Sequence, residues 1–234
     1  MNVNRQTAGI RGSKEVGNGK PAPASLIRWA GLSAAMAGIL FVVIQPLHPP
    51  EVLSSVTTGA WLVVHSLTIA MCLFGLFGLA GIYARQVAEA GWLGLAGYLM
   101  FSLWLVLTTA FTFAEAFILP LLATDAPKFV EGFMGIFSGS ASEVPLGALP
   151  AAAPLSLVLY LFGGLLLGIA TLRARILSRW AAGVLAVGAV STLAGALVPH
   201  PLDRLAAVPV GLGLAWLGYS LWVERSYPPK ELPR

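Results

Sequence analysis

The sequence predicts an all-α, polytopic transmembrane bundle of six helices, on three observations. The chain of 234 residues is 57% hydrophobic and only 10% charged, where a soluble domain carries about 25% charge. Its apolar residues gather in segments near the roughly 20 residues that cross a bilayer as a helix. Its cations are divided unevenly between the connecting segments, as they are where charge sets topology.

Residues 1–26 contain Gly, Asn, Lys and Arg with no apolar period, and read as a disordered basic cytoplasmic tail. A basic stretch before an apolar one also resembles a secretory signal. The apolar run is long for a signal core, however, and no small-x-small site precedes Gln45-Pro46-Leu47-His48, so it reads as an uncleaved first span, 27–46. Further spans are expected at 60–83, 92–120, 154–173, 179–198 and 204–223, the third long enough to tilt. Together 27–223 form the membrane domain, and 224–234 a second cytoplasmic tail.

Between spans three and four lies a long outer loop, 121–153. Its first half places Phe129, Phe133, Ile136 and Phe137 on one helical face, the pattern of a short helix lying in the membrane interface. From Ser138 to Pro154 the loop reads as a flexible strap.

Orientation follows from the basic residues. Arg5, Arg11, Lys14, Lys20, Arg28, Arg85, Arg173, Arg175, Arg179, Arg225, Lys230 and Arg234 fall on one side, twelve of the fourteen cations. Lys128 and Arg204 fall on the other, with Glu51, Asp125, Glu131, Glu143 and Asp203. Both termini are therefore expected in the cytoplasm. The same division explains the net charge of +4 as topology and gives no support to nucleic-acid binding. Cys72 is the only cysteine, which excludes an intrachain disulfide and a cysteine metal cage. Inside an apolar run it reads as a small buried hydrophobe.

Close packing within the membrane is signalled by Gly75, Gly78 and Gly81, by Gly91, Gly94 and Gly97, and by Gly164 with Gly168. These faces would serve bundle assembly, or a homo-oligomer or membrane-complex partner. Trp29, Trp61, Trp92, Trp104, Trp180, Trp216 and Trp222 lie mostly near span ends, where amphipathic rings sit at the headgroup level.

The candidate site comes from ionisable groups at membrane depth, which are costly there. His65, Thr68 and Cys72 form one helical stripe on span two, and Thr108, Thr112 and Glu115 another on span three. His65 and Glu115 both fall about a turn from the outer boundary, so a periplasm-facing pocket of His65, Glu115, Thr68 and Thr112 is expected. Its rim would be His48, Glu51, His200 and Asp203. His48-Pro49-Pro50-Glu51 and His200-Pro201-Leu202-Asp203 share the pattern His-Pro-x-acid, each after an outward span. A duplicated hairpin would explain the echo, and so would chance.

A buried His–Glu bond can also fix helix register without chemistry, and histidines beside prolines at helix ends can cap carbonyls or face water. A divalent metal would draw on His65, Glu115, His48 and His200, although the close ligand spacings of metal motifs are missing. A haem would need His65 as axial ligand and lacks a second histidine within a helix. Proton exchange needs only a His and a Glu reached from outside. No nucleophile elbow, phosphate loop or dinucleotide fingerprint is present, so the reading leans away from an enzyme.

The run Phe113-Ala114-Glu115-Ala116-Phe117-Ile118-Leu119-Pro120, continuing to Leu122-Ala123 and Ala126-Pro127, resembles a pattern in uncharacterised bacterial multi-pass membrane proteins of about six spans. The resemblance implies a bacterial cytoplasmic (inner) membrane and says nothing of chemistry. It pairs Glu115 inside the helix with Pro120 where the helix is expected to end. The leading expectation is an integral membrane protein handling a small ligand, ion or proton at His65 and Glu115. The alternatives are an accessory subunit of a larger membrane complex and a haem- or metal-dependent redox protein.

Overall fold

The computed structural model describes residues 23–195 and 202–224, all of whose regular elements are helical. Six helices carry the bundle: α1 (Pro23–Leu47), α3 (Gly59–Arg85), α4 (Val87–Phe113), α7 (Ala152–Ala174), α8 (Arg179–Gly195) and α9 (Val208–Val223). Short helices α2 (Leu53–Val56), α5 (Leu119–Leu122) and α6 (Pro127–Ser138) decorate one end. A π-helical turn, Ala114–Ile118, joins α4 to α5, and a 3₁₀ segment, Leu202–Ala207, leads into α9.

Five of these units are long and apolar enough to cross a membrane: Ser25–Leu47, Gly59–Arg85, Val87–Leu122, Leu149–Ala174 and Arg204–Val223. The chain is thus compatible with an integral membrane protein. Of the expected span 179–198, the described residues include the helix α8, Arg179–Gly195, 17 residues or about 26 Å at the helical rise; 196–198 lie outside the described residues. The tails 1–22 and 225–234 lie outside the described residues, as do His200 and Pro201.

Each long helix runs antiparallel to its neighbour in the chain, and α9 closes the ring against α1. Small residues set how close the backbones come. On α3, Gly75, Gly78 and Gly81 face Ala37, Ala34 and Ala30 of α1, and a Cβ on Gly78 would lie 2.6 Å from the Ala34 backbone. Gly97 meets the backbone of Leu167 on α7, while Gly164 and Gly168 meet Ala189 and Ala186 of α8. The α1–α9 contact is glycine on both sides: Gly38 abuts Gly211 and Ala215, and Gly31 abuts Gly218 and Trp222. In the absence of a hydrophobic drive between helices in lipid, this close approach supplies the dispersion contacts that hold the ring. These faces are therefore occupied within one chain and are not left for a partner. Gly91 is the exception among the expected packing glycines. A Cβ added there would meet nothing within 4 Å, and its φ of 54° interrupts α4 near its start.

Polar ties close both ends. Arg85 makes a two-pronged pair with Glu224, Nε–Oε2 2.9 Å and Nη2–Oε1 2.5 Å, joining the end of α3 to the end of α9. Beside it, fully buried Gln86 donates to Thr171 Oγ1 of α7 at 2.7 Å. At the opposite end Arg204 pairs with Glu51.

That opposite end is also where α6 lies, and here the structure corrects two expectations. Val130, Phe133, Met134 and Ile136 are buried against Val56, Trp61, Phe111 and Leu119. The helix is thus a cap seated on the bundle, with Phe137 left exposed at its edge. The strap folds back on it: Gly132 contacts Ser142, Gly135 contacts Ser140, and Leu146 joins the same apolar cluster. The alternating apolar face was a burial signal for protein, which a sequence cannot distinguish from one for lipid.

Replacing Gly38 or Gly78 by Leu is expected to lower stability by about 1–3 kcal/mol or more, because backbone sits where the side chain must go. Gly183→Ala, at a position with nothing within 4 Å, should leave stability unchanged or slightly raised. Unfolding titrations in mixed micelles read both effects, and equal losses at the three positions would contradict the packing described.

Candidate functional site

The site forms where the π turn meets α3. Five-residue spacing sends the Leu119 N–H back to the Ala114 carbonyl. Leu119 is the amide that would bond the Glu115 carbonyl in a regular helix, and the next residue, Pro120, has no N–H. The Glu115 carbonyl is therefore left over at a depth where no water replaces the bond. Trp61 Nε1–H takes it at 2.8 Å. Pro120 does not end the helix as expected; the chain continues through it into α5, and the π turn absorbs the misfit.

Trp61 is fully buried, contrary to its expected place at a headgroup boundary. Thr58 caps the start of α3 by accepting the Trp61 N–H at 3.2 Å, which fixes the residue in the first turn. One turn later His65 stacks on the Trp61 indole, centroids 4.1 Å apart. Its Nδ1 lies 2.7 Å from the Trp61 carbonyl. A carbonyl only accepts, so Nδ1 carries a hydrogen and donates it.

The other ring nitrogen, Nε2, faces Glu115 Oε2 at 3.5 Å. This lies within ion-pair range and beyond the roughly 2.7–3.2 Å of a direct N–H···O bond. With Nδ1 protonated, a neutral His65 turns a lone pair toward the carboxyl. A carboxylate there would meet that lone pair without a hydrogen between them. The pair is satisfied when it holds one proton on the facing atoms, as imidazolium with carboxylate or as imidazole with carboxylic acid. Both states have the same net charge, so passing the proton between them moves no net charge out of the pair. The side chains are 3% exposed for His65 and 21% for Glu115, so Glu115 is the more open of the two.

His48 completes the cluster. Its ring stands edge-on to His65 with centroids 5.1 Å apart, and lies 6.1 Å from Trp61. Its Nδ1 donates to the Pro49 carbonyl at 2.8 Å. Glu51, three residues on, is held by Arg204, and this charge pair is within electrostatic reach of both His65 and Glu115. Two of the expected rim residues therefore do converge on the buried pair. His200 lies outside the described residues, and nothing is described of the Asp203 side chain.

The threonines play a lesser part. Thr68 donates to the Val64 carbonyl of its own helix at 2.9 Å. Thr112 is buried on the same helical face as Glu115. Cys72 is fully buried, as its apolar surroundings suggested. Two residues of the site were missed from sequence. Trp61 carried a signal in its i, i+4 spacing to His65, and Arg204 in being one of two cations on the acidic side.

The geometry bears directly on metal and haem. With the Nδ1 hydrogen donated to the Trp61 carbonyl, Nε2 is the ring atom that could ligate, and it faces the Glu115 carboxyl. Among the described residues, no group of three or more His, Cys, Asp or Glu side chains is placed to hold a metal ion. Neither residue of the pair lines the two larger cavities. A hollow of about 220 Å³ is lined by Glu51, Glu131, Ser138 and Ser140 under α6. A cleft of about 570 Å³ enters the bundle between α1, α4, α7 and α8.

Comparisons of the chain with family profiles, curated proteins and solved structures found no match.

Trp61→Phe keeps the stack on His65 but removes the indole donor. The stranded Glu115 carbonyl should cost about 1–3 kcal/mol, read by the same micellar unfolding titrations. Pro120→Ala restores an amide beside it and should recover part of that loss in the double variant. Full additivity of the two changes would show that Pro120 and Trp61 do not serve the same carbonyl.

Proposed function

We propose that the protein is a proton-handling integral membrane protein, with His65 and Glu115 as the group that holds and exchanges the proton. The observation that carries this is the facing of His65 Nε2 and Glu115 Oε2 at 3.5 Å with Nδ1 already committed to Trp61. A pair built only to fix helix register would be expected to close to hydrogen-bond distance. This one is held apart while each partner is anchored through separate backbone bonds. His48 and the Glu51–Arg204 pair lie between it and the end of the bundle, and supply polar groups along which a proton could travel.

On this reading the chain has six spans, the fifth comprising 179–198, of which α8 covers Arg179–Gly195. Both termini are cytoplasmic, and the His65 end opens to the periplasm of a bacterial inner membrane. Support comes from the twelve cations of one side and from the resemblance over Phe113–Pro127. The accessory-subunit reading loses its main support, since the glycine faces are filled by the chain itself.

Infrared difference spectra between acidic and alkaline buffer, taken in lipid nanodiscs, test the assignment. The wild type should show a carboxylic-acid carbonyl band that changes with pH. Glu115→Gln should remove it, and His65→Gln should shift the pH at which it changes. Identical difference spectra for wild type and Glu115→Gln would sink the proposal.

Topology is tested separately with one cysteine at a time in a Cys72→Ala background. Ser142→Cys in intact cells should react with a membrane-impermeant maleimide. Labelling of that cysteine only after the cells are opened would invert the orientation.

A further inference from the structure

The cleft of about 570 Å³ is a site of different chemistry from the His65–Glu115 pair. Helices α1, α4, α7 and α8 do not all adjoin one another in the ring, so a cavity lined by all four reaches the bundle interior. Its volume is within the range of small-molecule sites. Phe137 of α6 and Leu157 of α7 line it while exposed, giving it an apolar rim.

Among the described residues its lining combines aromatic and uncharged polar side chains. Trp104 and Tyr160 meet edge to face at 4.8 Å, and Phe101 stacks on the Trp104 indole at 5.2 Å. Ser156 is buried, lines the cleft, and makes no hydrogen bond within the protein. The enclosed side-chain atoms left without a partner are Gln86 Oε1 and Ser102 Oγ, so the Ser156 oxygen is open to the cleft and available to a group entering it. Gln45 spends one amide hydrogen on the Phe41 carbonyl at 2.9 Å, leaving its other amide hydrogen and its oxygen. Thr192 Oγ1 lies 3.2 Å from both the Gly188 carbonyl and the Tyr160 hydroxyl. Where Thr192 gives its hydrogen to Tyr160, the phenol hydrogen is left to point elsewhere.

We propose that this cleft binds an uncharged, ring-headed amphiphile whose ring oxygens accept hydrogen bonds, the chemistry of a lipid-soluble quinone. Among the described residues no Asp, Glu, Lys, Arg or His lines the cleft, so a phosphate or ammonium headgroup would find no counter-charge among them. Flat aromatic walls match a planar ring, the Ser156 hydroxyl and Gln45 amide match its oxygens, and the Phe137–Leu157 rim matches an alkyl tail. A neutral glycerolipid shares the polar oxygens and the tail but lacks the ring.

The test is quenching of tryptophan fluorescence by decyl-benzoquinone, with the full chain in nanodiscs of synthetic phosphatidylcholine. The wild type should show saturable quenching, and Trp104→Phe should lose that component. Ser156→Ala should weaken apparent affinity about 3- to 10-fold while leaving thermal unfolding unchanged, because the hydroxyl bonds nothing in the protein. Ser156→Leu should abolish the saturable component, and dioleoylglycerol should not compete. Non-saturable quenching, or equal affinity in wild type and Ser156→Ala, would overturn the site. Competition by dioleoylglycerol at equal potency would overturn the ring assignment.

Discussion

The hydrogen bond that Pro120 cannot donate organises one end of this molecule. A proline within a membrane-length helix leaves carbonyls unpaired where water does not substitute. Here the chain answers with a π turn, which concentrates the deficit on the Glu115 carbonyl. Trp61 must then be buried to reach it, and that places His65 one turn further along the same face. The Glu115 side chain is carried toward the His65 ring by the same turn. The geometry of the pair thus follows from a backbone requirement, and the side-chain chemistry is built on top of it.

The two charge pairs at the ends of the last helix tell a related story. Arg204 precedes α9 and Glu224 follows it, the reverse of what the helix dipole favours. Their positions are explained by their partners: Glu51 at one end and Arg85 at the other. Both pairs are partly buried, and both connect chain segments far apart in sequence. They fix the ends of α9 against α1's following loop and against α3.

Much of this was legible in advance because apolar length, charge distribution and helical stripes are local properties. The expected spans 27–46 and 60–83 lie within the helices Pro23–Leu47 and Gly59–Arg85. Pairing of His65 with Glu115 was also readable, from depth alone. What stayed hidden depended on which surface a face would meet. Phe133 and Ile136 show the same periodicity whether they enter lipid or cap a bundle, and Trp61 looks like a boundary anchor until its distant acceptor is known. The course of the chain at Pro120 was hidden for a further reason. Proline dictates that a bond is lost but not whether the helix stops or widens to absorb the loss.

The glycine seam between α1 and α9 has a consequence for how the protein is made. Gly31 and Gly38 find their close partners, Trp222 and Gly211, only in α9, which is made after α3, α4, α7 and α8. Until then α1 sits in the membrane with its most intimate surface uncovered, while α3 through α8 assemble beside it. Ring closure therefore waits for α9, and any factor that shelters a small-residue helix face in the bilayer has its window of action during that wait.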